Sequence, residues 1–311
     1  MNQITFYGDR VLNEELVTSI ILRQRPTLEA PIEIFGNEWT KAKISHGSFR
    51  VLLLIEPEAV LPKQYKTNVR ERYNLVISMS PWRAERLELP DWVYQPYAWV
   101  PRKFRFNNRL KNPVMIAASK FGNSSRSMYW LRRSLIHEMD KRGLPLDVYG
   151  PDWNMSPFKE IRMRIYSARQ FLVMNQMPRW HESISHFQYR PVNYCGVTID
   201  KMDTLQRYQT SIVIENDLDA LSEKLFDCLE AGTIPIYVGP KFVELDFLES
   251  CLVRAEAHPD SIIQVFKNLT GDGIQKRQAA IRLLHDHPEY LNRWHPDYIS
   301  TQISRKILSR V

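Results

Sequence analysis

The length of 311 residues favours two domains, each large enough to bury its own core. The 42 basic and 35 acidic residues give a formal net charge of +7, which suits an anionic ligand such as a nucleotide. No dense basic block with interleaved aromatic residues is present, which argues against a nucleic-acid partner. Three cysteines without CxxC spacing, Cys195, Cys228 and Cys251, exclude a disulfide framework and favour a reducing compartment.

The sequence shows no signal-peptide pattern and no apolar run long enough to span a membrane. We therefore expect a cytoplasmic protein. Peripheral association with a membrane stays open, and the sequence gives no indication of the oligomeric state.

The first hundred residues alternate short apolar runs with one helical pattern, which is typical of an α/β domain. Strands are predicted near residues 4–7, 32–35, 50–55, 73–79 and 92–96, with a helix near 13–23. The proline-containing, basic stretch that ends with residues 102–112 predicts an interdomain linker. The predicted division is 1–105, 106–270 and a set of C-terminal helices, 271–311, that pack back on the first domain.

The alternation restarts after the linker. Strands are predicted at 114–119, 146–149 and 251–255, and helices at 126–142 and from about residues 261 and 273 onward. Residues 152–205 have no clear period and are predicted to form short helices and loops.

Residues 208–240 form the clearest unit of the chain. Apolar runs at 211–214 and 234–238 predict two buried strands, and Ser222 and Gly232 stand where a helix between them would begin and end. Ligands of such parallel sheets bind at the carboxyl ends of the strands. The polar residues gathered there are Glu215, Asn216, Glu223 and Lys224. Because a lysine in the first turn opposes the helix dipole, an anionic ligand such as phosphate is expected beside it.

Other candidate residues follow other predicted strands. Arg126 stands at an equivalent strand-to-helix junction and could bind phosphate, although a lone arginine there is usually a surface residue. Glu56 and Glu58 flank Pro57 at the end of the strand at 50–55, where either carboxylate could be a general base or part of an ordinary polar strand end.

Two acidic or histidine-containing triplets are weaker. Asp217-Leu218-Asp219 matches a metal-binding DxD pattern that is common by chance, and His285-Asp286-His287 has no third ligand in view. We therefore predict no metal site. The phosphate-binding GxxxxGK[ST] and GxGxxG fingerprints are also missing from the sequence.

The stretch IVIEND…LSEKLFDCLEAGTIPIYVGP resembles the donor-site motif of family 10 glycosyltransferases, the α1,3/4-fucosyltransferases. That motif reads approximately FEN, a loop, TEK, an apolar helix and AGxVPVVxG. The segments LLLIEPE, RYNLVISMSPWRAE and IAASKFGNSSRSMYWLRRSLIHEM with LDVYG resemble further family segments in the same order. The resemblance spans roughly residues 50–255.

The resemblance implies a GT-B-like architecture, with two Rossmann-like α/β domains facing across a cleft. It implies an inverting transfer of a sugar, above all L-fucose from GDP-fucose, to a hydroxyl of a glycan acceptor, without an essential divalent metal or another cofactor. By motif position Glu56 would be the catalytic base, with Glu58 as the alternative. The remaining matches would bind the donor: Arg126 and Lys224 the diphosphate, Glu223 the ribose, Glu215 and Asn216 the sugar-diphosphate pocket, and Tyr208 by packing.

The donor loop departs from the family pattern. It is shorter, Ser222 replaces threonine, and the tyrosine that precedes TEK in the family is missing. A GT-B transferase that uses a different GDP- or UDP-sugar therefore stays open, as does a non-catalytic carbohydrate- or nucleotide-binding protein on the same fold.

Overall fold

Two parallel sheets organise the chain. The computed structural model describes residues 3–37, 46–97, 106–176, 187, 189–242 and 246–311. The chain divides into two units, Met1–Trp99 with Pro288–Val311, and Val100–His287. Part of the predicted linker, residues 102–105, lies outside the described residues.

The first unit holds a four-stranded sheet whose strands are all parallel and follow one another in chain order. They are β1 (Ile4–Gly8), β2 (Ile32–Gly36), β3 (Phe49–Leu54) and β4 (Leu75–Ser78). Around them lie the helices α1 (Glu14–Gln24), α2 (Thr67–Arg70) and α3 (Pro81–Arg86), with a 3-10 helix at Pro62–Tyr65. The strand predicted at 92–96 is wrong, because Trp92 makes only an isolated bridge to Ser78.

The strands of this sheet bury both faces by alternation of their side chains. In β3, Val51 and Leu53 join the larger core on one face, whereas Leu52 and Leu54 join a smaller aromatic cluster with Phe35 on the other face. This period of two is what an extended strand imposes, and burial of both faces is typical of parallel sheets.

The last helices of the chain are α11 (Pro288–Arg293) and α12 (Pro296–Leu308). Ile299, Ile303 and Ile307 of α12 belong to the core of the first unit, at the spacing of one helical face. Near the start of α12, the Ser300 hydroxyl accepts a hydrogen bond from the backbone N–H of Asn13 at 3.0 Å. The end of the chain therefore completes the first sheet's core.

The second unit holds a five-stranded parallel sheet in the order β6-β5-β7-β8-β9. Its strands are β5 (Val114–Ile116), β6 (Asp147–Tyr149), β7 (Thr210–Ile214), β8 (Ile234–Val238) and β9 (Val253–Arg254). Its helices are α4 (Tyr129–Lys141), α5 (Pro157–Val173), α6 (Lys201–Gln206), α7 (Glu223–Glu230), α8 (Asp246–Glu249), α9 (Pro259–Asn268) and α10 (Gly271–Leu284).

The strand order of this sheet reverses direction beside β5. The chain moves from β5 outward to β6, then returns to place β7 on the other side of β5. A crevice opens at such a switch point, at the carboxyl ends of the two strands. The loops that follow β5 and β7 therefore decide what this unit can bind.

The sequence predicted the unit around β7 and β8 closely, including the N-cap at Ser222, whose hydroxyl accepts from the Lys224 backbone N–H. The prediction for residues 152–205 is wrong over 157–173, where one long helix, α5, stands in place of short pieces. Pro157 opens this helix and Ser156 caps it, so the local start signals were present in the sequence.

Candidate active site

A buried carboxylate closes the carboxyl end of β7. Glu215 is fully buried, and its oxygens accept from the Ser222 backbone N–H at 3.1 Å and the Ser222 hydroxyl at 2.6 Å. The Tyr237 hydroxyl donates to it at 3.2 Å. Burial raises the pKa of Glu215, and Lys224 opposes this shift. Glu215 therefore fixes the loop that leads into α7 and is not itself open to a ligand.

Glu223 and Lys224 occupy the first turn of α7. The Lys224 ammonium lies 3.0 Å from the Ser222 hydroxyl, but 3.8 Å and 3.9 Å from the carboxylates of Glu223 and Glu215. The Glu223 side chain is half-exposed. Burial raises its pKa, but Lys224 and then Lys201 outweigh burial, so the pKa lies below its ordinary value. At neutral pH this turn thus presents a carboxylate and an ammonium ion side by side.

Arg126 is held by carboxylates of the loop after β7. Its guanidinium lies 2.9 Å from Asp217 Oδ1 and 3.2 Å from Asp219 Oδ2. Burial and then the nearby Asp219 raise the pKa of Asp217, whereas Arg126 lowers it. The Asp217-Leu218-Asp219 triplet thus has a visible role, which is to fix Arg126.

Arg132 is a residue of this edge that the sequence reasoning missed. Its buried guanidinium donates to the Ile214 carbonyl at 2.5 Å and to Asn216 Oδ1 at 2.9 Å. Burial lowers its pKa. Arg132 follows Met128 by four residues, so it stands on the apolar face of α4, and a charge in that position was the available signal.

Lys201 was missed as well, because it begins α6 inside the stretch that showed no clear period. Its ammonium lies 2.6 Å from Asp227 Oδ2 and 4.0 Å from Glu223 Oε1. Lys201, Lys224 and Arg132 line one crevice over β5 and β7. The structure therefore brings together Arg126, Glu215, Asn216, Glu223 and Lys224 at the predicted edge, with two further cations.

Tyr208 does not join this group. It directly precedes β7, so it lies at the amino end of that strand, whereas Arg126 follows β5, and Glu223 and Lys224 follow β7. Its hydroxyl donates to Asp147 Oδ2 at 2.9 Å, and its side chain is buried. Tyr208 therefore lies at the opposite edge of the sheet from the other predicted residues, and its support of the donor site by packing stays a prediction.

In the first unit, hydrogen bonds fix the backbone of Glu56, two residues beyond the end of β3. Its N–H donates to Asn37 Oδ1 at 2.9 Å, and its carbonyl accepts from Gln64 Nε2 at 2.9 Å and the Tyr65 hydroxyl at 2.7 Å. Asn37 Oδ1 also accepts from the Ile55 N–H at 3.1 Å. The chain is therefore held rigidly at the point where the Glu56 side chain begins.

Asn37 itself sits in an unusual backbone conformation. Its φ is 65°, a left-handed value that asparagine tolerates better than most residues, and its side chain is buried. Gly36 before it allows close approach of the chain, since a Cβ there would meet the Asp9 carbonyl oxygen at 2.2 Å. The carboxyl ends of β1, β2 and β3 meet through these two residues.

Glu58, the alternative base, has a different setting. Its side chain is buried, and its Oε2 lies 3.2 Å from Arg86 Nη1. An ion pair of this kind holds the Glu58 carboxylate in place, whereas Glu56 is less deeply buried. Among the residues described, no group of three potential metal ligands occurs, and no helix is long and apolar enough to cross a membrane.

In comparisons with known proteins, no family model matches the chain. A 48-residue stretch is 42% identical to a putative fucosyltransferase-like protein of Arabidopsis thaliana, covering 15% of this chain and 9% of that protein. The chain thus matches a small part of that relative's length.

Among solved structures, HepE of Anabaena with UDP and glucose matches with a TM-score of 0.55 and 11% identity, over 98% of this chain and 99% of that one. The same protein with UDP-glucose gives a TM-score of 0.54. A glycosyltransferase of Rickettsia africae gives 0.49, with 9% identity over 99% of both chains. The chain has a GT-B-like fold with two Rossmann-like α/β units, which confirms the predicted fold class.

Proposed function

We propose that the protein is a glycosyltransferase that moves a sugar from a nucleoside diphosphate to a hydroxyl of a glycan acceptor. The observation that carries this proposal is the first turn of α7 at the switch point of the second sheet. There Lys224 has an ammonium ion whose nearest carboxylates are 3.8 Å and 3.9 Å away, beside the half-exposed Glu223. A helix N-terminus with an added ammonium suits a diphosphate, and a nearby carboxylate suits ribose hydroxyls.

For the donor we propose a GDP-sugar, with GDP-fucose first. Two observations support it: the resemblance of residues 211–240 to the fucosyltransferase donor motif, and the short match to a fucosyltransferase-like protein. A UDP-sugar is the competing donor, since the fold is also that of HepE, whose structures contain UDP.

In the proposed inverting reaction, the acceptor oxygen attacks the anomeric carbon while the bond from that carbon to the phosphate oxygen breaks. GDP leaves with the bonding electrons, and the acceptor proton passes to a carboxylate, for which Glu56 is our candidate. Lys224 would stabilise the growing charge of the diphosphate. We propose that no divalent metal is essential for this step.

Arg126 needs a further condition. Its charge is compensated by Asp217 and Asp219, which contact its Nε and Nη2, so a diphosphate would have to share the guanidinium with these carboxylates or replace one of them. Of the two predicted cations, Lys224 is therefore the stronger candidate for direct contact. Glu215 and Asn216 would shape the pocket through Ser222 and Arg132.

Calorimetry with GDP, UDP and ADP in excess EDTA tests the donor. We expect GDP to bind most tightly, and EDTA to leave its affinity unchanged. A transfer and hydrolysis screen across GDP- and UDP-sugars then identifies the sugar. Tighter binding of UDP would replace the GDP proposal, and nucleotide binding without any turnover would favour a non-catalytic binding protein.

A further inference from the structure

Helix α5 exposes an apolar stripe along its outward side. Phe158, Ile161, Ile165 and Leu172 recur at the spacing of one helical face, and each is between 47% and 75% exposed. With Tyr166, this helix supplies five of the fifteen large apolar side chains that are exposed among the described residues. Such a concentration on one element is unusual, whereas single exposed apolar residues are ordinary.

A basic stripe lies directly beside the apolar one. Lys159, Arg162 and Arg169 are exposed and fall on the neighbouring third of the helix surface. The helix contains one acidic residue, Glu160, which is buried and faces inward. The outward half of α5 therefore combines apolar and cationic side chains, with no acidic side chain.

The inward side of α5 is firmly attached to the second unit. Glu160 pairs with Arg133 of α4 at 3.4 Å, and the Ser167 hydroxyl donates to the Gly122 carbonyl. Phe171 is buried on the same side. The helix is thus held by these contacts, and its outward half is left for a partner.

We propose that α5 is a docking helix for an anionic lipid surface and lies in the plane of the interface. An amphipathic helix with basic residues next to its apolar stripe inserts the apolar side chains at the boundary between headgroups and acyl chains, while the cations contact anionic headgroups. The charge complementarity decides between occupants: a second copy of this cationic face would repel it, whereas an anionic bilayer attracts it.

Sedimentation with large unilamellar vesicles tests the proposal directly and does not depend on catalytic activity. The full chain should bind vesicles of phosphatidylcholine with phosphatidylglycerol, and bind pure phosphatidylcholine far less. Near an anionic surface each basic residue is worth about fivefold in affinity. Arg162→Gln/Arg169→Gln should therefore lower binding roughly 25-fold and weaken its salt dependence.

Two more double variants separate the apolar contribution from general surface effects. Ile161→Gln/Ile165→Gln should reduce vesicle binding at least about tenfold while retaining its salt dependence. The matched control is Lys276→Gln/Leu283→Gln on α10, which removes an exposed cation and an exposed apolar residue from another helix of the same unit. This control should bind vesicles like the unmodified protein, and circular dichroism checks that each variant is folded.

Failure of the unmodified chain to bind anionic vesicles at low salt overturns the proposal, as does equal binding by the α5 variants. Light scattering measures the molar mass and so tests the other occupant, a second copy of the chain. A dimer in solution that becomes a monomer in the Ile161→Gln/Ile165→Gln variant would make α5 a contact between copies. None of these outcomes changes the test of nucleotide binding.

Discussion

The candidate residues at the carboxyl edges of the two sheets, Glu56 in the first and Arg126 with Lys201 in the second, are held by different interactions. At the edge of the first sheet, neutral hydrogen bonds with Asn37, Gln64 and Tyr65 fix the backbone of Glu56. At the edge of the second sheet, ion pairs hold the charged side chains, with Arg126 between two carboxylates and Lys201 against Asp227.

The difference matters for what each edge can do. Neutral hydrogen bonds are insensitive to salt and to pH near neutrality, so the first edge is suited to aim one side chain rigidly. Ion pairs can exchange one anion for another, so the second edge is suited to accept a charged ligand.

Glu56→Gln should lower kcat by about 10²–10⁴-fold, because the amide keeps the shape of the side chain but cannot take up a proton. GDP affinity should stay within about twofold, since the hydrogen bonds that fix the backbone of Glu56 are unchanged. Steady-state kinetics and calorimetry measure the two quantities separately.

Glu58→Gln is the control for that experiment. It breaks the ion pair with Arg86 and should lower the free energy of unfolding by about 1–3 kcal/mol, with kcat retained. If Glu58→Gln abolishes turnover and Glu56→Gln does not, the assignment of the base is reversed.

Lys224→Met and Arg126→Met should differ in kind. Loss of Lys224 should cost about 2–4 kcal/mol of transition-state stabilisation with little change in the free energy of unfolding. Loss of Arg126 removes the ion-pair partner of two buried carboxylates and should lower the free energy of unfolding by about 3–5 kcal/mol. Urea unfolding and donor kinetics on both variants give the comparison.

Adding Asp217→Asn to Arg126→Met should restore part of the lost stability, because it removes one of the two buried negative charges that Arg126 compensates. An Arg126→Met protein with unchanged stability and lost GDP binding would show instead that Arg126 serves the ligand and not the fold.

Asn37→Ala should lower the free energy of unfolding by about 2–4 kcal/mol, because it removes the side-chain acceptor of the Glu56 N–H and one of the two acceptors of the Ile55 N–H, and forces alanine to a φ of 65°. It should also lower kcat through the loosened Glu56. Asn37→Gly removes the same hydrogen bonds without the backbone strain, so it should be more stable than Asn37→Ala by about 1 kcal/mol. Equal kcat in both variants and in the unmodified protein would mean that the hydrogen bonds of Asn37 to the backbone of Glu56 have no catalytic role.

Glu215→Gln should have the smallest effect, and a pH-dependent one. Burial raises the folded-state pKa of Glu215 above its unfolded value, so its contribution to stability is fully present below the unfolded pKa and is lost as pH rises through the folded pKa. Glutamine does not titrate. The stability of the variant relative to the unmodified protein should therefore improve between about pH 4 and about pH 8, as urea unfolding at both values measures. A difference that is constant with pH would contradict the assigned shift.

Local signals decided which parts of the fold the sequence could predict. The unit from β7 to β8 was predictable because apolar strands, the Ser222 cap and Gly232 all agree within a short stretch. Helix α5 was missed because apolar side chains lie on its outward side, in the exposed stripe, and also on its inward side, at Phe171, so the sequence shows no single apolar face.

Side-chain partners could be predicted less well than elements. Arg126 was predicted at the correct strand end. Its partners Asp217 and Asp219 are 91 and 93 positions away in the chain, and no local sequence pattern indicates contacts over such a distance. The placement of Tyr208 was within reach, since it stands directly before β7 and therefore at the amino end of that strand. The roles proposed for Glu56, Glu223 and Lys224 stay predictions.

The position of α12 in the core of the first unit has a consequence for synthesis on the ribosome. The first sheet is complete once β4 has emerged, but Ile299, Ile303 and Ile307 that cover it come roughly 200 residues later. At about 5–20 residues per second, that interval lasts roughly 10–40 s. Throughout it the apolar side of the nascent sheet lacks the part of its cover that α12 supplies, while the second unit can already fold. The first unit is therefore the part of the chain that depends most on chaperones, although its sheet is made first.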